Sequence, residues 1–375
     1  MPVRVLVVDD TAIYRKVVTE ALREIDGVEV VGTAINGQLA LEKIAELQPD
    51  LVTLDLEMPL LSGVEVLQEL RRIASPVGVL MLSAFTSAGA AATTEALRLG
   101  AFDFVLKPAT ENFAESLNQL RKRLADRVAA FAQSRNLGPT TVRPAPVAES
   151  KPRASRIVAS NLSAHQKDRP EVIVLGISTG GPEALNKVIP RLPADLPAPL
   201  FIVQHMPPMF TKSLADDLNQ RSKLHVSEAS DGQLARPGDC LVAPGGKQMK
   251  IERTELGPLV HITDDPPENS CRPAVDYLFR SAAHHYGARV LAIIMTGMGS
   301  DGTLGCRLLK RHGAPVIAQD KESCVVFGMP SLVIAEGLAD RVLPLDRIAA
   351  EITAIAQSAV SQTPSASLAG KGACS

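Results

Sequence analysis

Ser178, His205 and Asp301 are three residues of this 375-residue chain whose types, taken together, suit nucleophilic chemistry. A serine hydroxyl attacks a carbonyl only when a base takes its proton. The base in turn needs a carboxylate that fixes its tautomer and stabilises the imidazolium. Each of the three closes an apolar run: Ser178 follows Val172-Ile173-Val174-Leu175, His205 follows Leu200–Gln204, and Asp301 lies in the turn Thr296–Gly302 after Arg289–Met295. Gly176-Ile177-Ser178-Thr179-Gly180 puts the hydroxyl in a tight turn, and Pro182 suits the first turn of the helix that follows. Such a helix N-terminus favours developing negative charge. Each residue also has a plainer reading: Ser178 in a phosphate-cradling turn, His205 as a solvated strand-end side chain, Asp301 as a helix N-cap. The remaining histidines are weaker candidates. His284 and His285 fall inside a helical pattern, His312 at a helix end, and His225 and His261 on exposed strands.

A second constellation lies nearer the start. Asp9-Asp10, Asp55, Ser83 and Lys107-Pro108 stand at the ends of four apolar runs, the first, third, fourth and fifth expected strands of their block. Three converging carboxylates repel one another unless a hard cation joins them, so Asp9, Asp10 and Asp55 suit Mg²⁺ with positions left open for phosphate oxygens. Lys107 is then a point charge for a phosphoryl group, Ser83 a hydroxyl donor to it, and Asp55 an acceptor able to form an acyl phosphate. Taken singly, the aspartates also read as a helix N-terminal charge pair and Lys107 as a solvated cation.

The elements that must position these groups alternate in type. In the first block, Met1–Ala132, strands are expected at Val3–Val8, Val28–Thr33, Leu51–Leu54, Val77–Ser83 and Phe102–Leu106. Helices are expected with apolar positions Ile13, Val17, Val18, Leu22 and Ile25, over Gly37–Leu47, and over Phe113–Ala132. The second block, Pro170–Gln357, repeats the pattern. Strands are expected at Val172–Leu175, Leu200–Gln204, Cys240–Ala243, Arg289–Met295 and Val316–Ala318, with a hairpin of Lys250–Glu252 and Leu259–Ile262. Its helices are expected at Pro182–Ile189, Phe210–Arg221, Pro273–Tyr286, Thr303–Arg311, Ser331–Glu336 and Asp346–Gln357. Both blocks therefore read as α/β, doubly wound, mostly parallel sheets, with sites beyond the carboxyl ends of their strands. Between them, 133–169 is rich in Pro, Ser, Ala and charge without amphipathic period and reads as a flexible linker, and 358–375 as a disordered tail.

Composition narrows the partners. A net charge of -2 argues against nucleic acid. No apolar run is long enough to span a bilayer, and the chain enters a strand directly after Met1-Pro2, which speaks against a signal peptide and membrane insertion. The five cysteines (Cys240, Cys271, Cys306, Cys324, Cys374) form no C-x-x-C pair, so a disulfide framework is not expected and a reducing cytoplasm is.

Two resemblances carry the reading further. VVDDT around Asp9-Asp10, DLEMPLLSGVEVL after Asp55 and LKP at Lys107-Pro108 resemble the receiver domain of two-component response regulators. That resemblance implies a flavodoxin-like fold, Mg²⁺ held by Asp9, Asp10, Asp55 and the carbonyl of Glu57, and phosphorylation of Asp55 by a histidine kinase. It also implies phosphoryl sensing by Ser83 and Lys107, with Phe104 as the switch aromatic. GISTGGP at Gly176–Pro182, QHMP at Gln204–Pro207, TGMGSDG at Thr296–Gly302 and CVVFGMP at Cys324–Pro330 resemble the protein-glutamate methylesterases of bacterial chemotaxis. This second resemblance implies a Rossmann-like domain with the triad Ser178, His205 and Asp301. Thr179 would lie beside the nucleophile and the Met298 N–H would help bind the oxyanion. The expected substrates are methyl esters, and in some members glutamines, on chemoreceptors, and ester hydrolysis would need no cofactor. A monomer is expected. Two alternatives stay open: an interaction switch with a silent effector domain, and a nucleotide-binding effector, although Gly176–Gly181 lacks the P-loop lysine.

Overall fold

The computed structural model describes residues 1–108, 112–135 and 169–358. The first block folds as β1 (Val3–Val8), α1 (Ala12–Arg23), β2 (Val28–Ala34), α2 (Gly37–Leu47), β3 (Leu51–Asp55), α3 (Gly63–Arg72), β4 (Gly78–Ser83), α4 (Ser87–Arg98), β5 (Asp103–Leu106) and α5 (Phe113–Ser134). Its five parallel strands run in the order β2-β1-β3-β4-β5, so the winding direction reverses between β1 and β3. The central strands β3 and β4 are buried along their whole length, as unbroken apolar runs require when helices cover both faces of a sheet. Helix starts are set by side-chain caps: Asn36 accepts from Leu39 N, and Ser62 forms a reciprocal capping box with Glu65. One expected core position moves: Ile13 is 68% exposed, because α1 turns Val17, Val18, Ala21 and Leu22 inward.

The second block contains β6 (Val172–Ile177), α6 (Gly181–Val188), β7 (Leu200–Gln204), α7 (Phe210–Arg221), β8 (His225–Glu228), β9 (Asp239–Val242), β10 (Gln248–Thr254) and β11 (Gly257–Thr263). It continues with α8 (Val275–Tyr286), β12 (Val290–Ile294), α9 (Thr303–Arg311), β13 (Val316–Gln319), α10 (Met329–Ala335), β14 (Arg341–Leu343) and α11 (Leu345–Gln357). Seven parallel strands run β14-β13-β12-β6-β7-β9-β8, and β10-β11 form a separate antiparallel hairpin. Here the winding reverses between β6 and β12. A crevice opens above such a reversal because the two flanking connections leave in opposite directions. The sheet is entirely parallel. The edge strand β14 was not anticipated, since three residues of half-buried sequence give no periodicity to read. The expected linker falls almost wholly on 136–168 and the tail on 359–375, outside the described residues.

The two blocks are packed together. Helix α4 lies against α7 and α6, and apolar residues of both blocks share a continuous cluster. Burying a large apolar side chain contributes roughly 1.5–3 kcal/mol. Phe210, fully buried at the start of α7, is placed in that seam: its ring stacks on Phe104 at 4.8 Å and on Phe85 at 6.5 Å.

Candidate active site

At the reversal between β6 and β12, the nucleophile turn is built from backbone hydrogen bonds. Ser178 N–H donates to Thr296 O at 3.0 Å, Gly181 N–H to Ser178 O at 2.8 Å, and Gln204 Nε2 to the same Ser178 carbonyl at 3.0 Å. Gly180 adopts φ +79° as the N-cap of α6, a conformation that a side chain strains. Gly297 is required for closeness: a Cβ there would stand 2.8 Å from the Ser178 Cβ. The adjoining Met298 N–H meets no acceptor among the described residues, which leaves a donor next to the nucleophile.

His205 follows β7, and its Nε2 lies 2.8 Å from Asp301 Oδ2. Asp301 is held more tightly than a strand-end residue would be. It stands seven residues beyond β12 and caps α8 instead of α9: Val275 N–H donates to Oδ2 at 2.7 Å, Asp276 N–H to Oδ1 at 2.9 Å, and Asn269 Nδ2 to Oδ1 at 2.9 Å. The capping and triad readings of Asp301 are thus one arrangement. Burial opposes its charge, but His205 and these N–H groups outweigh it and hold the carboxyl below its usual range. For His205, burial also opposes charge; the hydrogen bonds to Asp301 and Cys271 prevail and raise its pKa to about 9. In contrast to the expected Ser178–His205 contact, no hydrogen bond joins the two among the described residues. His205 Nδ1 instead meets Cys271 Sγ at 3.6 Å.

Above this edge sits the first block. Thr179 Oγ1, next to the nucleophile, donates to Asp103 Oδ2 at 2.8 Å, and Arg127 Nε lies 2.9 Å from the same oxygen. Met298, Val325 and Val326 pack with the core that includes Val105 and Leu124. The nucleophile crevice is therefore covered by β5 and α5 of the first block.

The first block's own crevice, between β1 and β3, brings together the expected acidic residues. Asp9, Asp10 and Asp55 can each place a carboxylate oxygen within 4.8 Å of the others. Lys107 Nζ lies 2.8 Å from both Asp9 Oδ2 and Asp55 Oδ2, and 4.7 Å above the Tyr14 ring. One ammonium for this cluster is too little. Burial, aided by Asp9, raises the Asp55 pKa to about 6 against the opposing pull of Lys107. The donor set is all oxygen and short of positive charge, which fits a hard divalent cation. Ser83 is not directed at Asp55: it receives the Thr93 hydroxyl at 2.8 Å and lies within reach of the Ala84 and Gly89 carbonyls. Phe104 is buried against Phe210, in the seam between blocks. Glu57 is exposed two residues after β3.

Sequence reasoning missed Gln204, Asn269, Cys271, Asp276 and Asp103. A polar residue ending the apolar run of β7 could have flagged Gln204. Asn269 and Cys271 lie in a loop without periodicity, and Asp103 acts across a contact between blocks that no local pattern encodes.

Comparison with known proteins assigns each block a family. Residues 173–352 match the model of the CheB methylesterase family, and residues 5–118 that of the response regulator receiver domain. A protein-glutamate methylesterase/protein-glutamine glutaminase of Desulfotalea psychrophila is 49% identical over 93% of this chain and 97% of its own length. One of the same name from Thermotoga maritima is 43% identical over 92% of this chain and 96% of its own. A solved CheB methylesterase catalytic domain of Thermotoga maritima aligns at 46% identity with 49% of this chain and 97% of that one, with a TM-score of 0.48. With a receiver before a methylesterase domain and such identity along nearly its whole length, the chain belongs to the protein-glutamate methylesterase/protein-glutamine glutaminase family.

Proposed function

We propose that this chain is a phosphorylation-controlled serine esterase that hydrolyses glutamate methyl esters on chemoreceptors and deamidates receptor glutamines. The observation that carries the reading is the 2.8 Å His205–Asp301 pair at the winding reversal where Ser178 ends β6. Ser178 Oγ attacks the ester carbonyl as His205 accepts its proton, and Asp301 holds the imidazolium. The Met298 N–H is free to bind the oxyanion, a contribution of about 3–4 kcal/mol for one good donor. Thr179 lies beside it. Methanol leaves, and water activated by His205 releases the free glutamate. To act as the base, His205 must lose the proton that its raised pKa favours, and its Nδ1 must exchange its present Cys271 partner for the serine hydroxyl.

The receiver, taken as 1–132, regulates the esterase domain, taken as 170–357. Asp9, Asp10, Asp55 and the Glu57 carbonyl would hold Mg²⁺, which when bound neutralises the acidic cluster and a phosphoryl group. Asp55 accepts that group from a histidine kinase, and Lys107 and Ser83 read it. The cover formed by β5 and α5 supports an occluded resting state: Asp103 holds Thr179, and Phe104 is stacked on Phe210. Turning Ser83 towards a phosphoryl group frees space for Phe104 to turn inward and leave Phe210. The protein acts as a monomer in the cytoplasm. No helix among the described residues is long and apolar enough to cross a membrane.

The test is methanol release from methylated receptor membranes, with and without a small phosphodonor and Mg²⁺. The reading expects release that the phosphodonor accelerates. Silence under both conditions overturns it and leaves the interaction switch.

A further inference from the structure

Cys271 stands at a place the triad does not explain. Its Sγ lies 3.6 Å from His205 Nδ1, while Nε2 of the same ring holds Asp301 Oδ2 at 2.8 Å. Thiol, imidazole and carboxylate thus form a relay of their own, on the same Nδ1 that the proposed triad needs for Ser178. The turn presenting the thiol is tightly fixed. Asn269 and Ser270 both adopt left-handed backbone, φ 50° and 62°, as a two-residue hairpin turn between Glu268 and Cys271 requires. The turn is held by the Glu268–Cys271 backbone pair (2.7 and 3.1 Å) and by Asn269 Nδ2, which donates to Asp276 and Asp301 at 2.9 Å each. Gln248 Nε2 fixes the Cys271 carbonyl from below.

The other described thiols lack this setting. Cys240 and Cys306 are fully buried, and burial pushes both up. Cys324 is half-buried beside Asp320 and Glu322, and burial with these charges pushes it up to about 12. Cys271 is half-buried with its Sγ against the His205 imidazole, a contact that none of the other three has. A cavity of about 320 Å³ lined by Phe104, Arg123, Arg127, His205 and Pro207 reaches the imidazole that Cys271 contacts.

We propose that Cys271 is a redox-modification site of the esterase, oxidised by a hydroperoxide to a sulfenic acid that occupies the imidazole face Ser178 needs. His205 takes the thiol proton. The thiolate then attacks the distal peroxide oxygen, forming the S–O bond as the O–O bond breaks. The leaving hydroxide or alkoxide takes the proton back from His205, so sulfur loses two electrons and the peroxide is reduced to water or alcohol. An external thiol reverses the step through a mixed disulfide. The inference rests on His205 being the base of the proposed triad.

The experiment treats the unphosphorylated full chain with low hydrogen peroxide in the presence of a chelator. The chelator prevents metal capture by His205, Cys271 and Asp301 from mimicking the effect. A sulfenate-trapping dione followed by peptide mass spectrometry is expected to find at least about tenfold more adduct on Cys271 than on Cys324. His205→Ala should bring Cys271 labelling down to the Cys324 level, and Ser178→Ala should leave it in place. Ester hydrolysis should fall at least about tenfold and return with a thiol reductant, while the rate of Cys271→Ser, whatever its starting value, should not respond to peroxide. Even labelling of the two thiols, labelling indifferent to His205→Ala, or parallel inactivation of Cys271→Ser overturns the proposal. Because labelling needs no turnover, it decides the proposal even if the esterase reading fails.

Discussion

Both sheets of this protein place an aspartate at the carboxyl edge beside a winding reversal, and they treat it in opposite ways. Asp301 is met by the N–H groups of Val275, Asp276 and Gly302, by Asn269 and by His205, so its charge is settled before any substrate arrives. Asp55 has the Leu56 N–H and a lysine shared with Asp9, and burial leaves its pKa raised to about 6. The first is a preorganised charge, the condition under which catalytic electrostatics cost no reorganisation at the moment of reaction. The second is an under-neutralised charge, which makes the site responsive to whatever brings positive charge or removes the negative one. A catalyst and a switch can therefore be built on the same strand-end geometry, and the number of fixed donors around the carboxylate tells them apart.

The comparison can be broken most severely at the catalytic end. Ser178→Ala should lower ester turnover by about four orders of magnitude or more with the fold intact, and His205→Ala nearly as much, since a triad acts as a unit. Near-normal turnover in Ser178→Ala, measured as methanol release, would remove the catalyst from the comparison. The cover comes next. Phe104→Ala in the unphosphorylated full chain should raise basal activity by about 10- to 100-fold, because the stack on Phe210 is lost and the closed population shrinks. An unchanged basal rate would show that this stack does not restrain the enzyme.

Asn269→Ala tests whether fixed donors matter around Asp301. It should cut kcat by about tenfold with little change in KM, since a loosened carboxylate misplaces His205 without touching substrate. A loss confined to KM would contradict a positioning role. At the switch end the effect is on stability. A folded-state pKa raised to about 6 means the folded protein binds protons that the unfolded chain has released. Stability of the metal-free protein should therefore fall as pH rises from about 4 to about 6 and level off above. Asp55→Asn should then stabilise the metal-free receiver at pH 7 by on the order of 1–3 kcal/mol, and added Mg²⁺ should stabilise the native protein while leaving the variant nearly unmoved. Calorimetric melts decide this, and a destabilised Asp55→Asn would show that the Asp55 charge is not under-neutralised in the folded receiver.

What could be read from sequence follows from the range of the interactions. Unbroken apolar runs such as Val172–Ile177 and Leu51–Asp55 announce buried parallel strands, and the residues just past them fall at the site edge wherever the connection is short. Ser178, His205, Asp9 and Asp55 were legible for that reason. Asp301 was legible by type and by its place in the turn after β12, but its bond to the start of α8 is a contact across 26 residues that no periodicity encodes. The resting partner of His205 was invisible because Cys271 reaches it from a loop 66 residues away. Asp103 lay hidden for a further reason: inside β5 it looks like an ordinary strand residue, and only the packing of one block on the other gives its carboxylate to Thr179.

The stack of Phe104 on Phe210 has a thermodynamic corollary that runs from effector to receiver. Where a single ring belongs both to the phosphoryl-sensing strand and to the interdomain seam, one coupling free energy joins the two equilibria, and linkage makes it act equally in both directions. A phosphoryl group that weakens docking by some factor is itself held less firmly by the docked form, by that same factor. A chemoreceptor that draws the esterase domain away from its cover would then raise the affinity of the receiver for Mg²⁺ and phosphoryl, so that substrate acts as an effector of its own enzyme's activation.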